Sequence, residues 1–303
     1  MRDDGAILVT GAAGFLGHAV ARELVARGRR VVGTSRDGQG LPEGVEPAPL
    51  SLDDGGQAAG DLVRALRPAA VVHLAAMADA DACARAPEAA RRVNVDAAGQ
   101  VAAAASAAGA RTLYTSSDLV FGGDRAPYAE DDPPAPLGPY MATKADGEAA
   151  VLAADPGALV ARVALLYGRR RGRRGCFTDV LVERLRRGEQ VPLFVDQHRT
   201  PLLVDDAAAL LCDLLERRAA GRVHVAGPER ASRHAHGLAL ARALGLDPAG
   251  CVAARMADVP GLSPRPADAS LRIDRLVGLV GRAPLGLAEG CARLAAEADL
   301  AGR

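Results

Sequence analysis

Lysine and asparagine are almost missing from this 303-residue chain: 36 of its 37 Lys plus Arg residues are Arg, the exception being Lys144, and Asn94 is the sole asparagine. There is no tryptophan. The scarcity of lysine acts as a filter, because any chemistry that needs an ammonium has to use Lys144. That residue follows Thr143 rather than a glycine, which excludes a Walker A loop. No Gly-x-Ser-x-Gly elbow occurs either, which argues against an α/β-hydrolase. No two cysteines stand at C-x-x-C spacing; Cys83, Cys176, Cys212, Cys251 and Cys291 are scattered, as expected of reduced thiols in a reducing compartment. Net charge is absent as well. Thirty-seven basic and 37 acidic residues cancel, leaving no global field for nucleic acid or an anionic membrane. The most membrane-like stretch, between Arg92 and Arg111, is interrupted by Asn94, Asp96 and Gln100. Met1-Arg2-Asp3-Asp4-Gly5 puts two acids where a secretion signal needs positive charge, so a cytoplasmic chain is expected.

What is present is a run of strand and helix signals. Ala6–Thr10 is a short apolar strand ended by Gly11, and residues 14–27 carry Phe15, Leu16, Ala19, Val20, Leu24 and Val25 at helical spacing. Further strands are predicted at 30–34, 45–50, 70–74, 111–116 and 158–165, with helices at 53–66, 88–108 and 139–153 between them. Such alternation implies a doubly wound parallel α/β sheet of Rossmann type. After Tyr167 the alternation fails at the basic loop Arg169-Arg170-Arg171-Gly172-Arg173-Arg174. The expected organisation is a dinucleotide-binding domain over 1–167, to which 204–226 returns, and a smaller mixed lobe from 168–203 and 227–303.

Gly11-Ala12-Ala13-Gly14-Phe15-Leu16-Gly17 stands directly after the first strand and opens the first helix. Gly11 suits the tight turn, Gly14 a close pyrophosphate and Gly17 close helix packing, while the helix N-terminus offers free N–H groups to an anion. The second strand ends Gly33-Thr34-Ser35-Arg36 and lacks the acid that grips a ribose 2′-hydroxyl. Arg36 suits a 2′-phosphate, so NADP(H) is favoured over NAD(H), with Asp37 as the rival ribose ligand. Asp53, after the third strand, is placed to meet the adenine edge, or else it or Asp54 caps the next helix.

Tyr140-Met141-Ala142-Thr143-Lys144 sets a phenol and an ammonium four residues apart, on one helix face. A positive neighbour lowers a phenol's pKa and so readies Tyr140 to shuttle a proton. Ser117, at the end of the fifth strand, is placed to hydrogen-bond a substrate carbonyl oxygen. An ordinary amphipathic pair is the plain alternative for Tyr140 and Lys144. His234 and His236 stand two apart with no carboxylate cluster, so no metal is expected.

Together the glycine turn, Asn94, Ser117, Tyr140 and Lys144 resemble an extended short-chain dehydrogenase/reductase over nearly the whole chain. The resemblance implies that Tyr140 is the acid/base, that Lys144 lowers its pKa and holds the nicotinamide ribose, that Ser117 orients the carbonyl and that Asn94 supports a proton relay. The segments 73–81, 116–121 and 196–201 are similar to the dTDP-4-dehydrorhamnose reductase branch, whose members reduce a 4-keto sugar nucleotide with NADPH. Ser117 replaces that branch's usual Thr, Leu119 its Tyr, and His198-Arg199 a glycine-containing segment. The likeness sets Phe15, Leu16, Ser35, Leu74, Ala75 and Ala76 beside the cofactor, and Met77 and Asp118 beside the substrate. Arg199, seven residues before Asp206, and Arg265 in Arg265-Pro266-Ala267-Asp268 match diphosphate-binding positions of related epimerases; a solvated surface role stays open for both. The implied function is reduction of a carbonyl on a nucleotide sugar. An NAD(P)-recycling epimerase or dehydratase, and a non-catalytic NADP-binding regulatory subunit like that of methionine adenosyltransferase, are the alternatives. A homodimer is compatible with each.

Overall fold

Runs rich in Val, Ile, Leu and Ala form seven strands: β1 (Ile7–Thr10), β2 (Val31–Ser35), β3 (Val45–Pro49), β4 (Ala70–His73), β5 (Arg111–Ser117), β6 (Leu159–Val163) and β7 (Gly221–Val225). Except for β3, their residues are mostly buried, as a sheet covered on both faces requires. In this computed structural model, which describes residues 5–172 and 175–301, the strands pair in the order β7-β6-β5-β4-β1-β2-β3, all parallel. β3 lies at the edge, where Pro47 and Pro49 cost the sheet no ladder bond on their outer side.

The helices Phe15–Ala26 and Val204–Glu216 pack against each other on one face of the sheet. Gln57–Leu66, Ala97–Ala107 and Pro139–Ala154 pack in series to form the other layer. β1 and β4 are the neighbours at which the strand order reverses, so their C-terminal ends open the crevice where this kind of sheet takes ligands.

The remaining chain builds three short ladders. Leu166–Tyr167 pairs Leu202–Leu203, Val191–Phe194 pairs Cys251–Ala254, and His198–Arg199 runs antiparallel to Ala231–Ser232. Helices Phe177–Arg186, Arg233–Ala243 and Leu287–Ala301 surround a separate apolar cluster containing Tyr167, Leu181, Leu193, Leu240 and Leu294.

Two elements differ from the sequence reading. The helix over 53–66 starts only at Gln57, because the Asp54 carboxylate accepts the N–H groups of Gly56 and Ala58, each at 2.8 Å, and holds the preceding residues in a turn. The long Ala-rich helix is split: Pro87–Arg91 is α-helical, Arg92–Asp96 is a π turn, and Ala97–Ala107 resumes the α-helix. The π turn centres on Asn94. No described helix is long and apolar enough to cross a membrane.

Candidate active site

The glycine-rich turn follows β1 directly. Gly11 adopts φ +70°, and a Cβ at Gly17 would stand 2.1 Å from the Gly11 carbonyl oxygen, so the first helix can begin this close to the strand only with glycine there. Phe15 and Leu16 open that helix behind Gly14 as its N-cap, whose side-chain-free position leaves the first-turn N–H groups uncapped. The loop after β4 is drawn to the same place: Leu74 and Ala75 donate their N–H groups to Thr10 Oγ1, each at 3.2 Å, and Ala75 packs on Gly11. Ala76 and Met77 continue this loop.

Asn94 pins the far end of the loop. Its Oδ1 accepts the Met77 N–H at 2.8 Å, and its Nδ2 donates to the Met77 carbonyl at 3.0 Å and to Thr143 Oγ1 at 2.9 Å. Thr143 in turn donates to the Tyr140 carbonyl at 2.8 Å. Every amide hydrogen of Asn94 is thus used to tie the crevice loop to the Tyr140 helix. Its part is to position that helix, and the π turn is the local distortion that aims it there.

On that helix Tyr140, Lys144 and Glu148 follow one another at four-residue steps along a single face. Ser117, ending β5, stands beside Tyr140; its hydroxyl donates to Asp118 Oδ1 at 3.1 Å and accepts the Leu119 N–H at 3.2 Å. Serine and phenol are therefore brought together as the sequence reading expects. Their electrostatics are not as expected. Burial, then the Asp118 charge and Cys83, push the Tyr140 phenol up to about 12, with neighbouring Ser117 opposing. Tyr140 keeps part of its surface accessible, and it is the packing around the rest of the ring that dominates. Lys144 is itself pulled down to about 7 by burial, with Glu148 resisting. Its Nζ lies 4.3 Å from the centroid of the Tyr114 ring and finds no hydrogen-bond acceptor among the described residues. His73, stacked on the same Tyr114 ring and bonded to Thr10 at 2.8 Å, is held down to about 3 by burial and stays neutral.

Glu148 escaped the sequence reading although the four-residue step from Lys144 points to it. It is fully buried in a two-pronged pair with Arg162, at 2.9 and 2.8 Å, and takes a further bond from Arg222 at 3.2 Å. Burial alone would raise its carboxyl, but Arg162, Ser116 and Arg222 bring the net shift below the usual carboxylate range.

At the end of β2, Arg36 is exposed and makes no ion pair or hydrogen bond among the described residues. Asp37 accepts the Gln39 N–H at 3.1 Å and lies 3.4 Å from the Ser35 hydroxyl, so its carboxylate closes the turn it belongs to. Asp53 accepts the Ser51 hydroxyl at 2.7 Å on the surface after β3, while Asp54 takes the helix-capping role. Arg199 is neither at the surface nor an open phosphate grip. It is buried, its Nη1 and Nη2 donate to the Pro266 carbonyl at 3.2 Å, and its Nε lies 3.6 Å from Asp118. A diphosphate would have to displace those acceptors. Arg265 remains half-buried, donating to the Ser263 carbonyl at 3.1 Å. In the basic loop, Gly172 packs on the Ala13 and Gly14 carbonyls over the glycine turn, and Arg171 is clamped to Asp205 at 2.6 and 2.7 Å. Arg173 and Arg174 lie outside the described residues. All five cysteines are free.

A family described as the RmlD substrate binding domain matches residues 5–298. The chain belongs to this family, within the extended short-chain dehydrogenase/reductases. It is 35% identical over 247 residues to "Methionine adenosyltransferase 2 subunit beta" of Pongo abelii, covering 79% of this chain and 72% of that protein. It is 31% identical over 278 residues to the "Probable low-salt glycan biosynthesis reductase Agl14" of Haloferax volcanii, covering 90% and 91%. Among solved structures, a hypothetical dTDP-4-dehydrorhamnose reductase from Sulfolobus tokodaii superimposes with a TM-score of 0.81 at 28% identity, over 93% of this chain and 98% of that one. The same reductase from Bacillus anthracis, in complex with NADP, gives 0.84 at 23% identity over 97% and 99%, a likeness of fold. The family places the chain among NAD(P)-linked proteins of oxidoreductase type.

Proposed function

We infer that the protein reduces the carbonyl group of a 4-keto-6-deoxy nucleotide sugar, using NADPH. The observation that carries this reading is Ser117 standing beside Tyr140, with the buried Lys144 one turn further along the Tyr140 helix and without a hydrogen bond among the described residues. The residues fit a nicotinamide dinucleotide. The glycine turn and uncapped helix N-terminus suit the pyrophosphate, Lys144 suits the ribose hydroxyls beside the nicotinamide, and Arg36 suits a 2′-phosphate while Asp37 is engaged in its own turn. When bound, the cofactor supplies the hydride that reduces the carbonyl carbon.

The chain's own residues handle the oxygen. Ser117 holds the carbonyl oxygen, and the Tyr140 hydroxyl gives it a proton as the C=O bond becomes C–OH. A phenol near 12 is fully protonated at neutral pH, which suits a proton donor in the reducing direction. The phenolate left behind regains its proton from solvent, to which Tyr140 is partly exposed.

A second reading, a non-catalytic NADP-binding regulatory subunit, is favoured by the 35% identity to the methionine adenosyltransferase subunit. Incubation with NADPH and a panel of 4-keto sugar nucleotides separates the readings. Consumption of one NADPH per product formed supports reduction. Product without net NADPH loss means epimerisation or dehydration with recycling, and tight NADP binding with no turnover across the panel supports the regulatory subunit.

A further inference from the structure

Two arginines come together on one side of the crevice, and one of them keeps a buried, unused donor. Arg199 and Arg233 are brought to one side by the antiparallel ladder, in which Ala231 faces Arg199 and Ser232 faces His198, while the Arg233 N–H donates to the Gln197 carbonyl at 2.9 Å. The Arg233 guanidinium lies 3.9 Å from the centroid of the Phe177 ring, and its Nη1 is buried with no hydrogen-bond partner. The carboxylate nearest Arg199 is Asp118, next to Ser117, whose Oδ2 lies 3.6 Å from Arg199 Nε and is buried with no hydrogen bond. Asp268, which also faces Arg199, is already held by Arg230 at 2.6 Å and by Ser270 at 2.7 Å. Asp118 thus pairs with Arg199, and no carboxylate pairs with Arg233 among the described residues. Arg199 spends its Nη donors on backbone carbonyls, whereas Arg233 does not. A desolvated cation with an unused donor is costly unless something negative completes it. In keeping with this, burial and then the Arg199 charge draw Arg233 down to about 10.

We propose that Arg233 binds an oxyanion of the substrate, a phosphate or carboxylate oxygen held by its free Nη1 beside Phe177. This goes further than the carbonyl reduction and rests on the same crevice being the substrate site. It makes a negatively charged group on the substrate a requirement, and assigns its recognition to a residue that the diphosphate-binding motifs do not include. Stacking on Phe177 keeps the guanidinium plane fixed, so lysine is a poor substitute.

The test is calorimetric binding to the full NADP-loaded chain, comparing wild type with Arg233→Gln and Arg233→Lys. The probes are thymidine diphosphate and uridine diphosphate for a phosphate source and glucuronate for a carboxylate source. Arg233→Gln is expected to weaken at least one probe by roughly 10-fold or more, as the loss of a charge-assisted bond implies, with Arg233→Lys recovering part of the loss and NADP affinity unchanged. Which probe responds identifies the anion. Thermal melting of the unliganded chain distinguishes a structural arginine: relief of an unpaired buried charge raises Tm in Arg233→Gln. Unchanged affinity for all three probes, or a wild type that binds none of them, overturns the proposal. Binding that depends on Arg233 together with no NADPH turnover across the 4-keto sugar nucleotide panel leaves it standing and removes the reductase reading.

Discussion

A tyrosine becomes a useful acid by where it is put, and at Tyr140 the surroundings favour the protonated form. Lys144 bears the cost of the same burial. It is held at about 7 in the folded chain against an ordinary value of 10.5, so the folded state binds its proton less tightly than the unfolded one. Stability therefore rises with pH across the window from about 7 to 10.5, and the penalty is fully present below that window. Lys144→Met is expected to raise the Tm of the unliganded protein at pH 6 and to lose that advantage as the pH approaches 10, while weakening NADP binding. A Tm gain of equal size at both ends would contradict this account. Arg36→Ala is expected to weaken NADPH roughly 10-fold or more, the scale of a lost hydrogen bond to a charged group, and to leave NADH almost untouched. Parallel titrations of the two cofactors check it, and equal losses would return the role to Asp37.

At the scale of elements, the π turn Arg92–Asp96 shows how one side chain shapes a helix. Asn94 makes three hydrogen bonds to Met77 and Thr143, and removing them with Asn94→Ala is expected to cost about 2–4 kcal/mol. Tm and kcat should fall together, since the loop after β4 and the Tyr140 helix lose their common anchor; a lower Tm with undiminished kcat would show that the anchor does not serve catalysis. The strands and most helices were legible in the sequence because their apolar periodicity is strong. The π turn was not, because Arg-Arg-Val-Asn-Val continues a helical pattern and only the distant Met77 and Thr143 reveal the distortion. Ser117, Tyr140 and Lys144 were legible through motif and spacing. The spacing could not forecast their charge state, since burial outweighs the four-residue neighbour. Arg233 was invisible for a different reason: its place near Arg199 exists only through pairing of the segments 198–199 and 231–232.

Across the whole molecule, the buried pair of Glu148 and Arg162 joins the Tyr140 helix to β6, and Arg222 ties β7 to the same carboxylate. Breaking it from one side with Arg162→Met strands a buried carboxylate and is expected to destabilise the chain by about 3–5 kcal/mol, whereas Glu148→Leu combined with Arg162→Met should recover part of that. Chemical denaturation of both variants measures the difference. Because Glu148 is held below its ordinary range, the stability it contributes is present above about pH 4–5 and is lost as the pH falls through its depressed value. This framework fixes the helix carrying Tyr140 against the strand that ends at Ser117, as a proton donor beside a substrate oxygen requires. The most direct test of that purpose is single-turnover oxidation of bound NADPH by a 4-keto sugar nucleotide in Tyr140→Phe and wild type. The rate is expected to fall about 10²–10⁴-fold with NADPH affinity preserved. A phenylalanine variant that oxidises NADPH at the wild-type rate would contradict the assignment of Tyr140 as the proton donor.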